Sequence, residues 1–185
     1  GSLIKYIDQT EEICMEAIRN LPCALEYVRN QTKEMCELAV KLDPNSFKYT
    51  KFQTEEMCLE AVKFCPEFLR YVHNQTEEIC LEAIKRYPDS LKYVHNNQTE
   101  KLCLEAVKKN GSTLQYVHNQ TEEICLEAIK KDPYSLQYVH NQTENICKEI
   151  LSLFDQYKSL QILSKDFLPK ILLCVDDKFL YLFDD

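Results

Sequence analysis

Apolar and polar residues follow one short pattern along this chain, and the pattern returns every 22 residues. In its clearest copy, the apolar residues Ile79, Cys80, Ala83 and Ile84 have the spacing of one face of an α-helix. Thr76 precedes them as a good N-cap, and glutamates and then lysine follow in the order that suits the helix dipole. The first half of each repeat is therefore predicted to be a helix of about ten residues.

A shorter helix is predicted for the second half of the repeat. Pro88 fits the first position of a helix, where a missing N–H costs nothing. Tyr87, Leu91 and Val94 then lie on one face. Asn96 is expected to end this helix, because asparagine tolerates the left-handed geometry of a helix terminus. Helices of about ten and about eight residues are too short to be stable alone, so the repeats are expected to stack on one another.

The repeats predict an all-α solenoid of about seven two-helix repeats of 22 residues, in a single domain over residues 1–185. Seven cysteines mark the repeats at intervals of 22 or 23 residues: Cys14, Cys36, Cys58, Cys80, Cys103, Cys125 and Cys147. Residues 9–163 hold these repeats, and residues 164–185 are expected to form a degenerate C-terminal capping repeat. Its expected core residues are Leu168, Leu172, Leu173, Leu180, Leu182 and Phe183.

A second fold is compatible with the period. Leu91, Tyr93 and Asn96 match the strand of a leucine-rich repeat, so an α/β solenoid of that kind is the alternative. Proline at the start of the segment and the polar Gln-Thr that follows it favour the all-α fold. Residues 1–8 are expected to be part of a further repeat behind a tag scar, Gly1-Ser2.

Composition and charge exclude several functions. The chain has two glycines, too few for a phosphate-binding loop or a dinucleotide-binding fingerprint. A net charge of −8 argues against nucleic acid and against an anionic membrane surface as partners. No apolar run approaches the ~18 residues that span a bilayer. Ten cysteines whose positions do not suit disulfides indicate a reducing, cytoplasmic location.

Repeated side chains are expected to be structural rather than catalytic. Equivalent cysteines in neighbouring repeats lie about 8–10 Å apart, too far for a disulfide or a shared zinc ion, so they are expected in the core. The histidines have no nucleophile or carboxylate fixed beside them, so an enzyme, a metal site and a cofactor are not expected. Each Asn-Gln-Thr triplet is expected to be a helix boundary rather than a glycosylation site. Glutamates in the first helices are expected to line up as an acidic ridge, which is either a solvated face or a surface that steers a basic partner.

The second helices carry the residues that differ between repeats, and a solenoid with one variable face is suited to binding another protein. The predicted partner-binding residues are Arg70, His73, Lys92, His95, Gln115, His118, Tyr134, Gln137 and His140. A non-enzymatic protein–protein interaction module or scaffold is therefore the leading hypothesis. The alternative is a structural or self-assembling spacer, joined end to end through Ile4, Tyr6 and Ile7.

The unit NQTEEICLEAIKRYPDSLKYVH resembles the short tandem helical repeats of unknown function found in amoeba-infecting giant viruses and some intracellular bacteria. The resemblance covers about residues 9–163. It implies an α-helical array with protein–protein contacts, and a viral protein of the host cytoplasm, a virion or a viral replication compartment. It supplies no catalytic residue and no ligand. The family commonly has Asn-Gly where this chain has proline, and here only Asn110-Gly111 keeps that form.

Overall fold

The computed structural model describes residues 8–95, 98–159, 171 and 175–183. Its α-helices are α1 Glu11–Asn20, α2 Lys33–Leu42, α3 Glu55–Phe64, α4 Glu77–Arg86, α5 Glu100–Lys109, α6 Glu122–Lys131 and α7 Glu144–Ser159. Its 3₁₀ helices are η1 Pro22–Tyr27, η2 Pro44–Tyr49, η3 Pro66–Tyr71, η4 Pro88–Tyr93, η5 Gly111–Tyr116, η6 Pro133–Tyr138 and η7 Asp177–Phe183. The fold is the predicted all-α repeat solenoid. The leucine-rich-repeat alternative is wrong, because its strand segment forms η4 and the described residues contain no strand.

The α-helices begin as the sequence predicts. The hydroxyl oxygen of Thr121, for example, accepts the backbone N–H of Ile124 at 3.3 Å, and this satisfies one of the free donors of the first turn. Equivalent threonines cap the other α-helices of the described chain. The predicted apolar stripe is confirmed, because Ile79, Cys80, Ala83 and Ile84 are all buried.

The second half of each repeat is a 3₁₀ helix of six residues rather than an α-helix of about eight. In η3 the N–H of Val72 donates to Leu69 O, three residues earlier, and Val72 itself has an extended conformation. The helix therefore ends at Tyr71, three residues before Asn74. The prediction that asparagine ends the helix is wrong where the structure describes it, because an extended valine ends it first; Asn96 itself lies outside the described residues.

A single extended residue joins each of α1–α3, α5 and α6 to the 3₁₀ helix that follows it. Asp132, for example, has φ −148° and ψ 106°, and it ends α6 and caps η6 at the same time. Its carboxylate accepts the N–H of Tyr134 at 3.0 Å. The chain thus changes direction with an ordinary extended conformation, which explains how it turns with so little glycine.

The described residues fall into two compact units, which meet in the sequence between Arg86 and Tyr87. In the first unit, α1 packs on α2 and α3 packs on α4, whereas α2 and α3 approach each other less closely. In the second unit, α5 packs on α6 and α6 on α7, and η5 packs on η6. The prediction of one domain over residues 1–185 stays a prediction.

Two expected core residues are exposed. Tyr87 is 40% exposed although Leu91 and Val94 of the same predicted face are buried. The extended conformation of Tyr87 points it away from that face, because only η4 itself keeps a helical register. Leu180 in η7 is 36% exposed. Leu168, Leu172, Leu173, Ile4, Tyr6 and Ile7 lie outside the described residues, and Leu182 is half-buried.

Candidate interaction surface

Each 3₁₀ helix η3–η6 presents two exposed positions on either side of a half-buried tyrosine and the valine after it. In η3 these positions are Arg70 and His73, which flank Tyr71 and Val72. We call the following set the η-helix surface: Arg70, His73, Lys92, His95, Gln115, His118, Tyr134, Gln137 and His140. All nine predicted partner-binding residues are exposed. Their role in binding stays a prediction.

A glutamine holds the backbone at this surface in place. The side-chain N–H of Gln120 donates to Tyr138 O at 2.8 Å, and its Oε1 accepts the N–H of His140 at 2.9 Å. The same side chain also donates to Leu114 O of the preceding 3₁₀ helix at 3.3 Å. It therefore joins the ends of two consecutive second helices. The same pair of bonds to the tyrosine carbonyl and to the N–H two residues later is made by Gln9, Gln31, Gln53, Gln98 and Gln120, the glutamine bridges.

Cysteines of the α-helices donate hydrogen bonds to the bridging glutamines. The thiol of Cys125 donates to Gln120 Oε1 at 3.7 Å, and Cys36 makes the same bond to Gln31 at 3.3 Å. Burial raises the pKa of Cys125 to about 11, with a smaller contribution from Glu122. The thiol therefore stays protonated at neutral pH and can donate its hydrogen bond to Gln120. The predicted core role of the cysteines is confirmed, since all seven repeat cysteines are buried and free.

The first unit contributes Arg70 and His73 to the surface. The guanidinium of Arg70 lies 3.6 Å from Glu67 and 6.0 Å from the ring centroid of Tyr71. The imidazole of His73 is exposed, while its backbone N–H donates to Gln53. This part of the surface thus combines a cation, an aromatic ring and an exposed imidazole.

The second unit carries the remaining seven residues. Lys92 Nζ lies 5.0 Å from the ring centroid of Tyr93 and 5.9 Å from those of Tyr87 and Tyr116. Desolvation lowers the pKa of Lys92, but the neighbouring tyrosines, Tyr93 first, raise it by more. His95 follows on the same edge and is exposed. The ammonium group is therefore held over aromatic faces, an arrangement that favours a cation.

Uncharged residues replace these cations in the next two repeats. The side-chain N–H of Gln115 donates to Ser112 O at 2.9 Å, and that of Gln137 donates to Tyr134 O at 3.0 Å. His118 and His140 have exposed side chains, and their backbone N–H groups donate to Gln98 and Gln120. Within the second unit, the exposed position of the 3₁₀ helix therefore changes from the cationic Lys92 to the uncharged Gln115 and Gln137.

The glutamine bridges are the structural residues that the sequence reasoning missed. In the described part of the chain the Asn-Gln-Thr triplets lie at helix boundaries, with threonine as the cap, but a glutamine such as Gln120 also joins residues 18 and 20 positions later. One signal was present: glutamine precedes the capping threonine in every complete repeat, even where Phe52 replaces the asparagine. A polar side chain that never varies between repeats indicates a buried bond rather than a solvent-exposed role.

The predicted acidic ridge is partly structural. The hydroxyl of Thr76 donates to Glu55 at 3.3 Å, and that of Thr121 donates to Glu100 at 3.1 Å. The first glutamate of one α-helix thus binds the capping threonine of the next repeat. Glu60 instead forms an exposed ion pair with Lys63, and the half-buried Glu127 pairs with the exposed Lys130; such surface pairs contribute little stability.

Metal ligands do not gather in the described part of the chain, where no three His, Cys, Asp or Glu side chains lie close enough to hold an ion. Across the same residues, no helix combines the length and the apolar character that a bilayer crossing requires.

Comparison with protein families gives one result that agrees with this repeat architecture. A domain of unknown function, DUF4116, matches residues 10–53, 54–97 and 99–144 in tandem. Each match spans two of the 22-residue repeats, and the first comprises the tightly packed pair α1 and α2. No curated protein and no solved structure matches the chain. Because the three matches cover well over half of its residues, the protein belongs to the family of this domain of unknown function.

Proposed function

We propose that the protein is a non-enzymatic interaction module, or scaffold, that binds another protein through the η-helix surface. The observation that carries this proposal is the contrast between the glutamines that bond to the ends of the 3₁₀ helices and the exposed side chains at those ends. The glutamine bridges repeat with the same two bonds in five places. The exposed side chains beside them change from Arg70 to Lys92, Gln115 and Gln137.

This contrast suits recognition for a physical reason. A bridge such as Gln53 fixes the backbone on both sides of Val72, so Arg70 and His73 project from a rigid base. Rigid presentation lowers the entropy lost on binding. Arginine and tyrosine are also the residue types that most often dominate protein interfaces. Variable side chains on a constant backbone are how other helical solenoids select their partners.

Chemistry and resemblance support the proposed compartment and source. Buried thiols of raised pKa, such as Cys58 and Cys80 at about 11, are suited to a reducing cytoplasm. The net charge of −8 supports a protein partner rather than a nucleic acid or an anionic membrane. The repeat resemblance supports a viral protein in the host cytoplasm or in a viral replication compartment.

Site-specific photo-crosslinking in extract of the source cells tests the proposal. A photoreactive amino acid replaces Lys92, Gln115 or Gln137 on the η-helix surface, and Lys108 or Lys130 on exposed α-helix positions as matched controls. We expect a discrete crosslinked protein from the first set and none from the second. Crosslinks that are absent, or equally frequent in both sets, contradict the proposal.

The second candidate is a structural spacer that assembles with itself, in a virion or a replication compartment. It is favoured by the bridges, because each repeat bonds to the next with the same geometry and a second copy could continue the series. Light scattering over a range of concentrations separates the two proposals. Growth of the particle with concentration supports the spacer, and a constant monomer mass supports the module.

A further inference from the structure

A groove of about 610 Å³ lies between α2 and α3 in the first unit. The two helices belong to different family matches, 10–53 and 54–97, and they approach each other less closely than the pairs on either side. The groove therefore forms where two family modules meet. Its volume lies in the range of about 300–1,000 Å³ that is usual for small-ligand sites.

The floor of the groove is apolar. Val40, Pro44, Met57 and Ala61 line it, and Phe64 lies at its carboxyl-terminal end. Phe64 is 55% exposed, more than any other large apolar side chain in the described residues. The equivalent final residues of α4, α5 and α6 are the cations Arg86, Lys109 and Lys131. An aromatic ring that replaces a cation at the surface favours contact with an apolar ligand.

The charges of the groove are separated along its length. Glu56 lies in the first turn of α3, Glu37 and Glu60 lie near the middle of their helices, and Lys41 and Lys63 lie near the carboxyl-terminal end. Glu60 pairs with Lys63 at 2.9 Å, and Glu37 pairs with Lys33 at 3.6 Å. Glu56 and Lys41 form no ion pair within the described residues. One free carboxylate and one free ammonium group thus remain at opposite ends.

We propose that this groove binds a short extended segment of a partner protein. The segment is apolar in its middle, with a basic side chain near Glu56 and an acidic side chain near Lys41. From Glu56 to Phe64 the helix rises about 12 Å, the length of about four extended residues. The η-helix surface has no part in this site, so either proposal can fail without the other.

Selection from a random heptapeptide library displayed on phage tests the proposal. The targets are the wild-type protein, Phe64→Lys, Lys41→Glu and the control Lys108→Glu, which changes the equivalent lysine of α5. Phe64→Lys introduces the residue that α6 has at this position. Phe64→Ala is a second apolar variant, and the melting temperature of each variant confirms that it folds.

The wild-type protein and Lys108→Glu are expected to enrich the same peptides, apolar in the middle with one basic and one acidic end. Phe64→Lys and Phe64→Ala should bind those peptides about tenfold more weakly. Lys41→Glu should enrich peptides whose acidic end has become basic. The proposal is overturned if the wild-type protein enriches nothing, if Phe64→Lys binds equally well, or if Lys41→Glu leaves the charge pattern unchanged.

Discussion

The side-chain oxygen of Gln120 accepts the backbone N–H of His140 at 2.9 Å, across 20 residues of sequence. The bond requires only a backbone N–H at this position, and in the first two repeats Arg29 and Lys51 supply it. The fold uses the backbone of His140, and its imidazole remains at the surface. The glutamine bridge is thus the polar link between neighbouring second helices, and the histidine position is one that the fold leaves open to variation.

Replacement of Gln120 by leucine is expected to destabilise the protein. It leaves the carbonyl of Tyr138 and the N–H of His140 without their partner, and an unsatisfied partly buried group costs about 1–3 kcal/mol. Urea unfolding followed by circular dichroism measures the change in the free energy of unfolding. The control is Gln137→Leu, since Gln137 is exposed and its bond to Tyr134 O lies within its own helix. Equal stability of the two variants contradicts the role assigned to the bridge.

The buried thiols predict a loss of stability at high pH. Burial raises the pKa of Cys125 from 9.0 to about 11, so the folded protein holds this proton more tightly than the unfolded chain. The stabilising effect is complete below pH 9 and is lost as the pH rises through 11, with a total of about 1–3 kcal/mol. We expect the free energy of unfolding to fall more steeply between pH 9 and 11 in the wild-type protein than in Cys125→Ala.

Other groups titrate in the same pH range. The quantity compared between the wild-type protein and each variant is therefore the slope of the free energy of unfolding against pH. Cys125→Ala lowers stability at pH 7 because it leaves a cavity, but its pH dependence should be shallower than that of the wild-type protein. Cys23 is only half-buried, and Cys23→Ala therefore serves as the matched thiol control. Identical slopes for wild type and Cys125→Ala would contradict the raised pKa of this thiol.

Local sequence signals were enough to predict the α-helices and not enough to predict how the repeats join. The stripe of Ile79, Cys80, Ala83 and Ile84 follows from helical periodicity, and the cap at Thr76 follows from its chemistry. A bond from a glutamine to a residue 20 positions later has no local pattern.

The sequence also did not indicate how closely neighbouring repeats pack against each other. The groove between α2 and α3 arises from repeats whose patterns are nearly the same as those of the tight pairs. The exposure of the residues on the candidate surface could be predicted from the position of each side chain on its helix. The contacts between Lys92 and its neighbouring tyrosines could not be predicted, because those tyrosines come from different repeats and from the residue before η4.

The consensus of the repeats predicts that proline would suit position 111, but the structure predicts the opposite. A Cβ atom on Gly111 would lie 2.4 Å from Ala128 O and 2.7 Å from Ser135 Oγ. The glycine is needed for close approach of the following repeat. Gly111→Ala and Gly111→Pro are each expected to lower the free energy of unfolding by about 1–3 kcal/mol. Calorimetric melting measures the effect, with the exposed substitution Gln115→Ala as control, and an increase in melting temperature would contradict it.

Replacement of Ser46 is not expected to lower the free energy of unfolding, unlike the substitutions above. Its hydroxyl is fully buried in η2 and has no hydrogen-bond partner among the described residues, as is also true of Ser90 and Ser135. A buried hydroxyl without a partner is unfavourable, and η1 has Ala24 at the equivalent position. Ser46→Ala should therefore leave the free energy of unfolding unchanged or raise it by about 1 kcal/mol. Thr113→Val is the contrasting variant, because the Thr113 hydroxyl donates to Asn110 O at 2.7 Å and its loss should destabilise the protein. A decrease of more than about 1 kcal/mol for Ser46→Ala, measured in urea, would mean that this hydroxyl makes a stabilising bond in solution.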